Sequence, residues 1–182
     1  MSHSQFVYHL VPARVEGEFL MPLSQLKSAL PTLYQQHATK YEGREDLMAK
    51  QLPHINVSWN DVLQLSPVHP EQMRDAMIKT GFGWRPMLFF EFDSSQIGMN
   101  QLNTVIYRHL PKQKGDFAFR AEDFEAFSPE SLHRHADLPE ATRAHYQESL
   151  ATKTAPLLFI WVPHVLFHGR ISVVNAKIIE IA

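Results

Sequence analysis

Trp59-Asn60-Asp61 places an aromatic ring, an amide and a carboxylate in consecutive positions, and His69 follows shortly after. Between them Val62-Leu63-Gln64-Leu65 reads as extended chain, and Ser66-Pro67-Val68-His69-Pro70 as the entry to a helix. Polar groups crowded at a strand end, just before a helix N-terminus, are where α/β-type proteins tend to keep a site. Trp59 offers a stacking surface, Asn60 an amide reader and Asp61 a general base or orienter. The same three residues are equally ordinary turn chemistry beside a core indole. His69 either caps free backbone N–H groups of the helix or faces an anion held at that terminus.

Two further groups of residues compete for attention. His9 stands mid-strand beside Tyr8, and alternation sends the two to opposite faces. It is either a core histidine satisfied by one backbone partner or a donor to a ligand hydroxyl. In Tyr41-Glu42-Gly43-Arg44-Glu45, Gly43 permits a tight reversal between helices. Arg44 offers a planar fork for a carboxylate or phosphate, or pairs with Asp61 or Glu45 and braces the junction. Tyr41 is a second stacking candidate. The histidines His133, His135 and His145, with Asp137 nearby, admit a zinc reading, but no HExxH stands in the chain and no metal ligand is assigned.

Composition removes several classes of chemistry. There is no cysteine, which excludes disulfides, thiolate zinc sites and thiol catalysis. No Walker loop, GxGxxG or GxSxG appears, so P-loop, Rossmann and α/β-hydrolase readings fall away. With 17 basic against 19 acidic residues and a net charge of −2, no basic face for duplex DNA is legible. Arg108-His109 with Lys112 and Lys114 reads as a solvated loop. No apolar run approaches the ~20 residues that span a bilayer, and the N-terminus shows no signal peptide. The expectation is a cytoplasmic protein without membrane association, its cofactor unassigned.

At 182 residues the chain suits one domain that buries about 70% of its unfolded surface. Phe6 to Val11 predicts a first strand, stopped by Pro12. Ser24 caps a short turn, and Pro31 opens a helix to about Glu42 that carries Leu33, Tyr34, His37 and Tyr41 on one face. A further helix covers 44–51. Ile55 to Trp59 alternates with the period of a strand. From Pro70 to Thr80, a proline at N1, Glu71 in the first turn and Met73, Ala76, Met77 and Thr80 at helical spacing predict a helix ended by Gly81. Met87 to Phe92 predicts a central strand, and Thr104 to Tyr107 another. The stretch 111–128 reads as a long excursion with one short element. Asp137 and Glu140 form an acidic capping box for a helix to Ala151. Leu157 to Val162, Val165 to Phe167, Ile171 to Val174 and Ile178 to Ile181 close the chain as strands. The fold class is α+β, with helices mainly in the first half and mixed or antiparallel sheets completed by C-terminal strands.

Tyr8-His9-Leu10-Val11-Pro12, Tyr41 to Glu45, Trp59 to Leu63, Ser66 to Pro70 and Pro163-His164 resemble a group of small uncharacterised bacterial proteins, a likeness that brings no activity. In the order of its elements the chain also resembles the ADP-ribosyltransferase-like fold, which includes DarT-type enzymes and tRNA 2′-phosphotransferases. The resemblance implies that His9 holds a ribose hydroxyl of NAD and that Trp59 or Tyr41 stacks on nicotinamide. Many such transferases carry a catalytic glutamate on a late strand, and the comparable stretch Pro156 to Val162 has none.

Three functional expectations follow. One is an ADP-ribosyltransferase-like enzyme with a nucleotide- or NAD-like ligand in a polar cleft. His9, Asp61 and His69 would then be catalytic, and Tyr41, Arg44, Glu45, Trp59 and Asn60 would bind ligand. The second is a non-catalytic factor that binds or neutralises a protein partner. The third is a metal-dependent hydrolase built on the histidines.

Overall fold

The computed structural model describes residues 5–13, 17–43, 45–113, 116 and 118–182. Two antiparallel sheets carry the architecture. The first has β1 (Phe6–Leu10) and β9 (Lys177–Ile181) on either side of β4 (Met87–Asp93). The second runs β3 (Leu63–Leu65), β7 (His164–Phe167), β5 (Thr104–Tyr107), β6 (Phe124–Ala126). A small ribbon pairs β2 (Phe19–Leu20) with β8 (Ile171–Ser172). This is the α+β class, in its antiparallel form.

The sheets meet at one residue pair. Tyr8 and Ser66 exchange two backbone hydrogen bonds of 2.8 Å each, joining β1 to the end of β3. No further backbone bond links the two strands among the described residues, so they part beyond this point. One face of the second sheet, through Leu63, Leu65, Ile106, Val165 and Phe167, packs against Val7, Phe90 and Phe92 of the first. Its other face, through Val105, Tyr107, Phe124 and Leu166, is covered by Leu52, Ile55 and Trp59. Burial on both faces explains why β5 and β7 are nearly continuous in apolar character.

Helices α1 (Leu23–Ala29) and α2 (Pro31–Ala38), then a 3-10 turn at Thr39–Tyr41, lie over the parting of β1 and β3. Helix α3 (Glu45–Met48) is a single short turn. Helix α4 (Pro70–Thr80) has the predicted bounds, with Pro70 at N1 and Gly81 at φ +110° ending it. Met73 and Ala76 of α4 pack against Tyr146 of α6 (Glu140–Ala151). Helix α5 (Pro129–Arg134) was not anticipated; the Ser128 hydroxyl accepts the Ser131 N–H and caps it.

Several expectations are corrected. The stretch 55–59 is no strand: His54 and Asn56 take positive φ, and Trp59–Asp61 forms a 3-10 turn. Pro53 and Asn56 supply turn chemistry that overrides the alternation. The stretch 157–162 is no strand either. Tyr146 donates its hydroxyl to the Leu158 carbonyl at 2.6 Å, and Thr142 to that of Ile160 at 2.8 Å. Carbonyls held by helix side chains are not available to a ladder. Helix α6 begins after Pro139 with no side-chain cap, so the Asp137 capping box does not form. Helix α1 follows Pro22, and Ser24 lies inside it rather than capping it.

Candidate functional site

Where β1 and β3 part, the structure leaves a cavity of about 310 Å³. That is at the small end of the roughly 300–1,000 Å³ typical of small-molecule sites. Its walls are apolar: Phe19 and Leu20 from β2, Leu23 and Leu26 from α1, Leu33 from α2, and Val62 and Leu63 around β3. Four polar side chains converge on it, His9 from β1, His37 from α2, Tyr41 from the turn after α2, and Gln64 from β3.

Each polar group arrives by a simple local rule. Tyr8 is buried against Phe89 and Ile181 on one face of β1, so alternation turns His9 to the other face and the cavity. His9 Nδ1 lies 2.7 Å from the Leu10 carbonyl oxygen, to which it donates. Leu33 and His37 stand four apart on one face of α2, and the 3-10 turn that continues the chain brings Tyr41 to the same cleft. The Tyr41 hydroxyl accepts from Trp59 Nε1 at 3.2 Å and from Gln64 Nε2 at 3.4 Å. At the rim, the Arg170 guanidinium lies 4.6 Å from the centre of the Phe19 ring. Arg170 is exposed and has no carboxylate partner among the described residues.

The predicted residues are not all brought together. His9 and Tyr41 line the cleft. Trp59 stands behind Tyr41, 6% exposed, packed on Tyr107 and Phe119; it anchors the phenol and offers no open stacking face. Asp61 turns away from the cavity. Its Oδ2 accepts the Ser58 N–H at 3.2 Å, and its carbonyl accepts from His168 Nδ1 at 3.0 Å. A carboxylate spent on a turn cap is not placed as a base for the cleft. Asn60 belongs to the same turn and does not line the cavity.

His69 is on the opposite side of β1. Its ring meets that of Tyr8 edge-on at 4.9 Å, and its Nδ1 accepts the Glu71 N–H at 3.3 Å, the helix-capping role. Glu45 is exposed, and the backbone N–H groups of Glu45 and Gly43 hold its carboxyl below the usual range. Arg44 lies outside the described residues. The histidines of the zinc reading are separated in use: His135 meets Glu125 at 2.8 Å, whereas His145 serves Ser149 and the Leu157 N–H. Among the described residues no group of three potential ligands stands together.

Of the basic loop, Lys112 is nearly buried and pairs with Asp123 at 2.6 Å rather than being solvated, and Lys114 lies outside the described residues. No helix among those described is long and apolar enough to cross a membrane.

Sequence reasoning missed His37 and Gln64 as site residues. Gln64 carried a signal, being the single polar side chain within Val62–Leu65. Phe19 and Leu20 carried none. Comparison with family models, with curated proteins and with solved structures finds no match for this chain.

Proposed function

We propose that the cleft between β1 and β3 binds a nucleotide- or NAD-like ligand. The observation that supports this is the convergence of His9, His37, Tyr41 and Gln64 on one otherwise apolar cavity. Apolar walls with a few directed polar groups suit a flat heterocycle with a hydrogen-bonding edge. Arg170, over the Phe19 ring at the rim, suits an anionic group such as a phosphate outside the cavity. In this reading His9 holds a ligand hydroxyl or moves a proton, as expected of a transferase related to the ADP-ribosyltransferase-like fold. The imidazoles take the acid–base role in place of Asp61, whose carboxylate is engaged in its turn.

A thermal-shift panel of NAD, ADP-ribose, mononucleotides and short RNA tests the reading. A ligand at 100 times its dissociation constant stabilises by about 2.7 kcal/mol. That moves the midpoint by roughly 5–10 °C in a domain of this size. The expected result is a shift with a nucleotide that disappears in His9→Ala. Silence across the panel sinks it.

A second reading, a factor that binds a protein partner, draws on the first sheet. Leu88 and Ile178 are 45% and 50% exposed on one face of β4 and β9, and the outer edge of β9 is unpaired among the described residues. A partner that co-purifies at stoichiometric ratio and is lost in Ile178→Lys would favour it.

A further inference from the structure

Hydrogen-bond accounting at Tyr41 narrows what the cleft can hold. A phenol oxygen has two lone pairs and one proton. Both lone pairs of Tyr41 are taken by N–H donors, Trp59 Nε1 at 3.2 Å and Gln64 Nε2 at 3.4 Å. The indole N–H donates only, so it obliges the phenol oxygen to accept. The Tyr41 proton is therefore left to donate, and none of the described residues accepts it. Beside it, with Gln64 Nε2 turned to the phenol, the Gln64 Oε1 is an acceptor that no described residue supplies. Both side chains line the cavity.

A directed donor next to a directed acceptor is the complement of a planar group with an acceptor next to a donor. We infer that Tyr41 and Gln64 read an amide-type edge on the ligand, a carbonyl oxygen beside an N–H, as in a ring carboxamide or a lactam base. Tyr41 donates to the carbonyl oxygen, and Gln64 Oε1 accepts from the neighbouring N–H. Trp59 acts one step back, as a positioning residue that sets the direction of the phenol proton. This inference rests on the nucleotide-binding reading and specifies the part of the ligand that enters the cavity.

The test uses matched pairs that differ at this edge. Nicotinamide mononucleotide is compared with nicotinic acid mononucleotide, and inosine with purine riboside, by calorimetric titration of the full chain. The amide member of at least one pair should bind tenfold or more tightly, because its counterpart leaves the donor or the acceptor unpaired. Gln64→Glu supplies a carboxylate that takes the Tyr41 proton and leaves the Trp59 contact in place. The preference should collapse in this variant, with the thermal midpoint little changed. Tyr41→Phe should collapse it too; if that variant does not fold, Gln64→Glu decides.

Equal affinity for both members of each pair, or a preference that survives both substitutions, overturns the amide reading while nucleotide binding stands. If no member of either pair binds and the wider nucleotide panel is also silent, the cleft reading fails and this inference fails with it.

Discussion

Two clusters of imidazole and aromatic rings flank the second sheet, and they have opposite characters. At the β1–β3 parting, His9, His37 and Tyr41 stand around an open cavity. Around the end of β5, Tyr107, His109, Trp161 and His164 pack ring on ring. His109 lies 5.0–5.3 Å from each of the other three, and Phe119 and Phe124 close on Tyr107. Both draw on two imidazoles and a phenol. The difference is in the backbone: β5 and β7 are paired along their whole length, whereas β1 and β3 share one pair and diverge. Paired strands press their side chains together into a core, and parted strands leave room for a ligand.

The electrostatics follow the packing. Burial, then the neighbouring His109, pushes the His164 imidazole down to about 3. Burial also lowers His109, and raises the Tyr107 phenol to about 12. Of the three, Tyr107 is buried in the core and His109 and His164 are half-buried beside it.

The largest effect that separates the regions should come from Tyr107→Ala. Truncating this 7%-exposed ring is expected to cost about 3–5 kcal/mol in urea unfolding. Any ligand affinity of the cleft should survive in the folded fraction; a stability loss below about 1 kcal/mol would mean that the closed cluster is no core.

Next comes Lys112, which covers the Phe119 ring and pairs with Asp123 while both are nearly buried, at 9% and 3% side-chain exposure. Lys112→Met leaves the Asp123 carboxylate without its cation and should cost roughly 3 kcal/mol. Asp123→Asn in the same background should recover part of the loss, and a double-mutant cycle measures the coupling.

The pH dependence comes third. A histidine whose folded pKa is depressed leaves the unfolded chain binding more protons between the two values. Its contribution is therefore whole above about pH 6.5 and is lost as pH falls toward the folded value. For His164 the loss between pH 6.5 and 5 is roughly 1.5 kcal/mol. Unfolding free energies at the two pH values, in the wild type and in His164→Gln, should show the slope flattening in the variant. An unchanged slope would place the proton uptake elsewhere.

The smallest stability effect is expected at the cleft itself. His9→Ala should move unfolding by less than about 1 kcal/mol, as at positions outside the packed core, and still remove the ligand-induced shift. A large destabilisation would make His9 a structural residue and erase the contrast between the regions.

Legibility in the sequence tracked local rules. Pro70, Met73, Ala76 and Gly81 defined α4 because caps and helical spacing act within the segment. The apolar runs of β5 and β7 were readable because burial on both faces demands them, and that of β4 because Phe89, Phe90 and Phe92 are buried. Ile55–Trp59 and Leu157–Val162 misled, because each has strand-like composition but spends its backbone groups on turns and on helix hydroxyls from elsewhere in the chain. At the candidate site, alternation in β1 and the helical spacing running through α2 into the 3-10 turn gave His9 and Tyr41 definite faces. Nothing local distinguished them from Asp61 and His69, which are chemically as able.

What the sequence determined by itself is therefore the α+β class, the secure helix α4, the hydrophobic strands and the absence of thiol chemistry. Which polar residues meet was decided by the tertiary structure alone. The single Tyr8–Ser66 pairing lets β1 and β3 diverge, and α1 and α2 cover the gap. The physical reason is that a turn cap, a helix cap and a cavity wall can each satisfy the same carboxylate or imidazole. Only the packing of segments distant in the chain settles which of them each group faces.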